Sequence, residues 1–237
     1  MRAALLLGCL LGLVLPGSPS RGAEEKGHSH APRPIPKVSP REVLLAHATD
    51  RMAAGLVEVK LRGTLDVPPG RERPQVLETG LWPDRFRREV TTKGQPASWM
   101  RLSPTVFVRG IGTKEEPGSP EDRDLAISRL RSLFVVRHFF EALRGGAVPK
   151  EIPFAGQTLP SVEVKDAYGT FRIAFGGLTG KLQGLEVPGR NGGVNRTFFL
   201  ASARLGRWFY PAVQSTESPA GLEVLRVVAT TTLPEGE

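Results

Sequence analysis

The period of the hydrophobic pattern changes several times along this chain. Ser39 and Glu42 form a capping box, and apolar residues then recur at helical spacing until Gly55, which predicts a first helix over 39–55. Residues 57–67 switch to alternation, with valine and leucine separated mainly by charged residues and threonine. A period of two predicts a half-buried β-strand.

Short β-strands are predicted to follow, over 76–81, 86–90 and 106–109. Trp82-Pro83-Asp84 separates the first two, and the proline requires an edge or a bend there. Residues 114–120 are polar and contain proline, so we interpret them as a loop.

One long, very apolar helix is predicted over 121–144, where Gly145-Gly146 ends it. Ser119 and Pro120 are interpreted as its cap and first residue. Its apolar residues spread wider than a single stripe and include three phenylalanines. This breadth is compatible with an ordinary core helix or with a helix that lies over a cavity. Its polar face is expected to carry Arg129, Arg131, Arg137, Glu141 and Arg144.

The last third of the sequence predicts a meander of β-strands over 162–165, 171–175, 194–203, 208–214 and 222–232. Glycine-rich turn signals separate these segments, as in one continuous antiparallel sheet. The few helices cannot cover both faces of so large a sheet. The pattern therefore predicts an α+β fold, a strongly curved antiparallel sheet with helices on its concave side.

The first residues predict export. Met1 and Arg2 precede a short apolar run that Pro16 and Gly17 end, and small residues follow, as in a secretory signal peptide over 1–23. Residues 24–38 then form a flexible leader, and 39–237 a single domain. The residues before Cys9 also resemble a poor lipoprotein box, which leaves lipidation at Cys9 open. If Cys9 is lost with the signal, no cysteine remains for a disulfide or a thiolate metal site.

The charge favours anionic partners. The formal net charge is +8, and +6 remains without Arg2 and Arg21, which favours anionic lipid, glycan or nucleic acid. Arg85, Arg87 and Arg88 form a basic cluster, interpreted as a solvated strand face or as a contact for anionic headgroups. On a strand, alternation places Arg85 and Arg87 on one face and Arg88 on the other. The cluster does not continue as a stripe with stacking aromatics, so no nucleic-acid binding is predicted.

Catalytic and cofactor motifs are missing from the sequence. No phosphate-binding loop, nucleophile elbow or spaced set of metal ligands is present, and we predict no enzymatic activity, no cofactor and no metal site. The carboxylate pairs are explained by solvation and helix capping. His47 and His138 are interpreted as packing or rim residues.

Three segments carry a resemblance to a known family, more in their order than in identity. They are 44–67, the Gly80-Leu81-Trp82-Pro83-Asp84-Arg85-Phe86-Arg87 segment, and Arg207-Trp208-Phe209-Tyr210-Pro211-Ala212-Val213 followed by 225–233. In this order the chain resembles the superfamily of the outer-membrane lipoprotein carrier LolA, which includes related periplasmic lipid-binding proteins and the sensor RseB. Trp82 stands where lipoprotein carriers tend to have an arginine, so lipid binding is a safer expectation than lipoprotein traffic.

The resemblance implies an unclosed β-barrel with a helical lid over a hydrophobic cavity. It implies a monomeric, non-catalytic periplasmic carrier or binding protein for a lipid or an acylated protein, with a membrane-associated donor or acceptor. A sensor or scaffold on the same fold, without cargo transfer, is the alternative. The candidate ligand-binding residues are Trp82 and Phe86 on the sheet and Leu133, Phe134, Phe139 and Phe140 on the lid.

Overall fold

The computed structural model describes residues 56–154, 156–177, 180–189, 193–205, 208–218 and 221–234. The signal peptide, leader and first helix predicted from the sequence lie outside these residues. The described part contains thirteen strands in one sheet and two helices.

The first meander comprises six strands: β1 Leu56–Leu65, β2 Gln75–Leu81, β3 Arg85–Thr91, β4 Ser98–Leu102, β5 Phe107–Ile111 and β6 Lys114–Pro117. The helices α1 Pro120–Leu133 and α2 Val135–Arg144 follow. The second meander comprises seven strands: β7 Lys150–Phe154, β8 Gln157–Asp166, β9 Gly169–Phe175, β10 Leu182–Pro188, β11 Val194–Leu205, β12 Trp208–Ser218 and β13 Gly221–Pro234.

The two meanders join in the middle of the sheet, where β1 pairs with β13 in antiparallel register. The strand order runs from β6 through β1 and β13 to β7, so β6 and β7 are the two edges of the described sheet. The chain between these edges must cross from one to the other, and the two helices make that crossing. Helix α1 contacts β3, β4 and β11, and α2 contacts β8, so strands from both halves curve around the helices. The predicted curved sheet with helices on its concave side is confirmed.

The helical segment differs from the single helix predicted over 121–144. It ends and restarts at Phe134, whose φ of −106° and ψ of 18° are not helical. Two residues earlier, the Ser132 hydroxyl donates to the Ser128 carbonyl at 2.9 Å, a bond that bends helices. The N-terminus agrees with prediction, because Ser119 caps α1 and Asp122 closes a capping box.

The sequence pattern did not predict four of the strands, β4, β6, β7 and β10. The segment 114–120, interpreted as a loop, in fact includes the edge strand β6. Edge strand β7 contains Pro153, and β10 contains Gly184, which weaken the strand signal. Such strands form because neighbouring strands supply their hydrogen-bond partners.

Helix α1 packs very closely on β2. A side chain added at Gly80 would come within 2.8 Å of Phe134 and 2.9 Å of Leu133, so only glycine admits the helix at this distance. The four side chains predicted to bind a ligand from the lid, Leu133, Phe134, Phe139 and Phe140, are all buried, each with at most 3% of its surface exposed. The space between this helical segment and the sheet is therefore filled by its own side chains.

The prediction of a polar helix face is wrong for three of its arginines. Arg129, Arg131 and Arg137 are buried, and each anchors the helices to a different part of the sheet. Arg131 binds Asp166 with two hydrogen bonds of 2.8 and 2.7 Å, which ties α1 to the β8–β9 hairpin. Arg137 donates to the Leu56 carbonyl and to Glu141, which ties α2 to the start of β1.

Arg129 makes the most central of these contacts. Its guanidinium binds both carboxylate oxygens of Glu78 at 2.9 and 2.8 Å and donates to the Gln214 amide oxygen at 2.9 Å. Glu78 lies on β2 and Gln214 on β12, so one side chain spans the β1–β13 junction. None of the three residues is exposed. A buried bidentate pair of this kind fixes where along the sheet the helix can lie.

Replacement of one partner of this pair should be more harmful than replacement of both. We expect Arg129→Met to lower the free energy of unfolding by about 3–5 kcal/mol, because Glu78 is left charged and buried. The double variant Arg129→Met with Glu78→Leu should recover much of that loss. Urea denaturation of both variants measures this, and a double variant less stable than the single one would contradict the assignment.

Candidate ligand-binding groove at the end of the helices

A groove lies where the second helix ends and two hairpin turns of the sheet approach each other. One turn is Trp82-Pro83-Asp84 between β2 and β3, and the other is Ala167-Tyr168 between β8 and β9. The C-terminal half of α2 forms the third side. We call this space the lid groove, and α1 with α2 the lid.

The lid groove has a volume of about 590 Å³, within the range of roughly 300–1,000 Å³ for small-molecule sites. Its walls combine apolar and charged side chains. They comprise Trp82, Pro83, His138, Glu141, Ala142, Gly145, Gly146, Ala147, Glu163, Val164, Lys165, Asp166 and Ala167.

The inner wall of the lid groove is aromatic and continues into the core. The Trp82 ring lies 5.4 Å from the Phe134 ring and 4.8 Å from the His138 ring. His138 in turn meets the Phe171 ring edge-on at 5.0 Å. Trp82 is half-buried, and the Arg137 guanidinium lies 4.1 Å from its ring centre, a cation–π contact that orients it. Only one layer of rings thus separates the groove from the apolar interior.

His138 is held neutral in this wall. Burial lowers its pKa to about 4 from an ordinary 6.5, and the nearby Arg131 and Arg137 act in the same direction, while Asp166 opposes them. The sequence interpretation of His138 as a packing or rim residue is confirmed. A neutral imidazole between two aromatic rings contributes an apolar surface to the groove.

A hydrogen bond joins the two turns beside the groove. The Tyr168 hydroxyl donates to the Asp84 carbonyl, and burial, with Asp84 and Asp166 nearby, raises the pKa of this phenol above its ordinary value. Tyr168 also approaches Arg123 of α1, whose guanidinium lies 5.9 Å from the ring centre. The two hairpins therefore form a closed rim around this end of the lid.

The predicted ligand-binding residues fall in different places. Trp82 lines the lid groove, and Phe134 lies directly behind it. Phe86 has its side chain in the core, at 2% exposure, although the residue borders a second cavity on the opposite face. The remaining predicted residues are packed in the core: Leu133, Phe139 and Phe140. Their contact with a ligand remains a prediction.

Several residues in or beside the groove were not found from the sequence. Tyr168 and Ala142 carry no pattern that marks them, because their role depends on a turn and a helix that meet only in three dimensions. Arg137 was placed on the solvent face, and only its contact with Trp82 reveals its position. The Trp82-Pro83 dipeptide was the one available signal.

The basic cluster divides between the two faces of β3, as alternation predicts. Arg85 and Arg87 are exposed and, with Arg101, border the second cavity, of about 750 Å³, on the convex face. Arg88 points the other way and is only 2% exposed, so its interpretation as a solvated residue is wrong. Its partner Glu223 explains the burial: the Arg88 Nη2 donates to a Glu223 carboxylate oxygen at 2.7 Å.

No helix in the described part of the chain is long and apolar enough to cross a membrane. Among the same residues, no group of three or more histidine, cysteine or acidic side chains is arranged to hold a metal ion.

A sheet that curves around two helices yet leaves its edges β6 and β7 unpaired with each other is an unclosed β-barrel with a helical lid. The same fold occurs in the LolA superfamily protein NE2245 from Nitrosomonas europaea, with a TM-score of 0.50 and 10% sequence identity over 84% of this chain and 96% of that one. The fold resemblance predicted from the sequence is confirmed. At this identity the likeness shows the fold alone.

Two other solved structures are similar over most of their length. A DUF1329 family protein from Desulfovibrio piger has a TM-score of 0.48 and 10% identity, over 80% of this chain and 91% of that one. A putative outer membrane lipoprotein-sorting protein domain from Vibrio parahaemolyticus has a TM-score of 0.45 and 8% identity, over 84% and 95%. No family model matches the sequence, and no curated protein matches it.

The neutral state of His138 makes stability depend on pH in a defined window. Below pH 6.5 the unfolded chain binds a proton at His138, whereas the folded protein does so only near pH 4. The contribution of neutral His138 to the free energy of unfolding is therefore fully present above pH 6.5, and the free energy of unfolding falls by about 3 kcal/mol as the pH drops to 4. The His138→Phe variant should not show this loss of stability when urea denaturation is repeated between pH 7 and pH 4. A pH dependence equal to that of the unmodified protein would contradict the assignment.

Proposed function

We propose that this protein binds a lipid or acyl chain in the lid groove, without catalysis, and carries it in the bacterial envelope. The observation that carries the proposal is the thin aromatic wall of the groove. The Trp82 ring contacts Phe134 and the His138 ring contacts Phe171, so an apolar chain that displaces these rings reaches the hydrophobic interior directly.

The energetics of such binding are sufficient. Burial of one CH₂ group contributes about 0.8 kcal/mol, so a chain of about ten carbons gains roughly 8 kcal/mol before the cost of ordering. Ala142, Ala147 and Val164 supply apolar surface at the groove, and the charged residues Glu141, Glu163, Lys165 and Asp166 line it beside them.

Deeper binding requires the lid to shift, because Phe134, Phe139 and Phe140 fill the interior in this conformation. The anchors differ along the lid. Helix α1 is held to the sheet by the buried ion pairs of Arg129 and Arg131, whereas α2 is held by a hydrogen bond from Arg137 to the uncharged Leu56 carbonyl. Movement of α2 about Phe134 is therefore the less costly opening.

The role as a carrier rests on several expectations together. The predicted signal peptide over 1–23 would deliver the chain to the periplasm, where a monomer would exchange its ligand with a membrane-associated donor or acceptor protein. Trp82, in place of the arginine typical of lipoprotein carriers, favours a lipid over an acylated protein as the cargo.

A sensor or scaffold without cargo transfer is the second candidate. The packing beneath the lid favours it, since Leu133, Phe134, Phe139 and Phe140 leave the interior filled. In that case the groove would receive a side chain or a peptide of a partner protein, and the apolar interior would serve stability only.

Lipid analysis separates the two candidates. The full chain, produced with its export signal in a bacterial host, is extracted with organic solvent, and the extract is analysed by mass spectrometry. We expect bound acyl lipid in amounts near one per protein. No lipid, together with no uptake of a dansyl-labelled fatty acid, would overturn the proposal and favour the scaffold.

A bulky side chain in the groove should block uptake. Ala142→Trp places an indole inside the lid groove, and we expect it to weaken binding of the dansyl-labelled fatty acid about tenfold, or roughly 1.4 kcal/mol. Ala201→Trp, at an exposed position of β11, is the matched control and should leave binding unchanged. Equal effects of the two variants would show that the fatty acid does not bind in the lid groove.

The rim contact should control the rate of entry. Tyr168→Phe removes the hydrogen bond between the two hairpins, so we expect faster uptake of the same probe in stopped-flow fluorescence, by about threefold to tenfold, as for loss of about one hydrogen bond. An unchanged rate with unchanged stability would show that the rim does not limit entry.

A further inference from the structure

A row of side chains crosses the concave face of the first meander, from its middle to its edge. The registers pair Glu78 of β2 with Arg88 of β3, Arg88 with Met100 of β4, Met100 with Arg109 of β5, and Arg109 with Glu116 of β6. Residues directly opposite each other on adjacent strands project from the same face. The row therefore places one apolar side chain between two arginines.

All residues of this row except Glu78 line a cavity of about 220 Å³, on the side of the lid where α1 begins. Val90 and Met100 supply apolar walls, and Trp99 and Ile111 border it. Asp122, in the first turn of α1, closes it from above. The residues of this cavity are distinct from those of the lid groove, which lies at the C-terminal end of α2. We call it the β3–β6 cavity.

Arg88 is the unusual member of the row. It is 98% buried, and its Nη2 donates to Glu223 at 2.7 Å, but within the described part of the chain its Nε and Nη1 make no hydrogen bond. The nearest carboxylate oxygen to Nε belongs to Glu78, at 3.7 Å, and Arg129 already binds both oxygens of Glu78. A buried donor without an acceptor is costly, so Arg88 offers hydrogen bonds to an occupant of the cavity.

The charges around the cavity decide which occupant fits. Burial alone would raise the pKa of Glu223, but the Arg88 guanidinium outweighs it and holds that pKa below its ordinary range, so the pair is ionised and neutral overall. Arg109 forms ion pairs with Asp122 at 3.1 Å and with Glu116 at 3.7 Å. The arginines are thus already balanced by carboxylates, and a further anion would face those carboxylates at short range.

We propose that the β3–β6 cavity is a second binding site that takes the neutral, oxygen-bearing head of an acyl compound, an ester or an amide. The carbonyl oxygen accepts from Arg88 Nη1, and the first carbons of the chain lie against Met100 and Val90. The volume is below that of a site for a whole lipid, so the rest of the molecule extends past the exposed Ile111. The site needs no movement of the lid and depends on the proposed function only for the acyl class of ligand.

Met100 provides a direct probe of this site. The chain has only three methionines, so ¹³C-methyl methionine spectra are simple, and Met100→Leu assigns the signal. We expect saturable shifts of the Met100 methyl with monodecanoyl glycerol. Decanoate should bind at least tenfold more weakly because its carboxylate is repelled, and decane should give no saturable shift.

Two variants test the roles of the residues. Arg88→Lys keeps the positive charge beside Glu223 but leaves one nitrogen in place of three, and should weaken binding of the ester about tenfold. Because a buried substitution can prevent folding, Ser98→Phe, at an exposed residue of the cavity, provides an independent block. Ala142→Trp, in the lid groove, should leave the Met100 shifts unchanged.

Each outcome has a clear meaning. Equal binding of decanoate and the ester would contradict the preference for a neutral head. Equal binding of decane and the ester would contradict the role of Arg88 as a hydrogen-bond donor. No Met100 shift with any probe, while the dansyl-labelled fatty acid still enters the lid groove, would show that the cavity holds water only and would leave the proposed function standing. Met100 shifts without uptake of the dansyl-labelled fatty acid would support the β3–β6 cavity and contradict the proposed role of the lid groove.

Discussion

The buried contact of Arg129 with Glu78 and Gln214 is the interaction on which the arrangement of the molecule depends. It joins the lid to strands on both sides of the β1–β13 junction, where the two meanders meet. Apolar packing alone allows a helix to slide along a sheet, because one apolar contact replaces another at little cost. A bidentate ion pair has only one good geometry, so it selects one position of α1.

That position creates both candidate sites, at opposite ends of the lid. At one end, α2 and the two hairpin turns leave the lid groove, with Trp82 and His138 as its inner wall. At the other end, the start of α1 covers the β3–β6 cavity beside Arg88. The close contact at Gly80 lies between them and leaves no space under the middle of the lid. A ligand therefore meets the protein at the ends before it can reach the interior.

Residue patterns predicted much of this structure but assigned several side chains to the wrong environment. Alternation located β1, β2 and β3, and it correctly separated Arg85 and Arg87 from Arg88 on the two faces of β3. It could not show that Arg88 lies inside the molecule, because the second carboxylate that makes burial possible, Glu223, is 135 residues away. Arg129 was misplaced for the same reason, since Glu78 and Gln214 lie on distant strands.

The sequence by itself determined most of the elements and the curved antiparallel sheet, because these follow from local periodicity and from turn residues, while the order of three segments carried the resemblance in fold. Only the tertiary structure decided which charges are buried, where the lid rests and that the phenylalanines of the lid are packed. Ion pairs, cavities and the fit of Phe134 against Gly80 arise between segments far apart in the chain. No local pattern encodes such distances, so these properties appear only when the sheet curves and brings its two halves together around the helices.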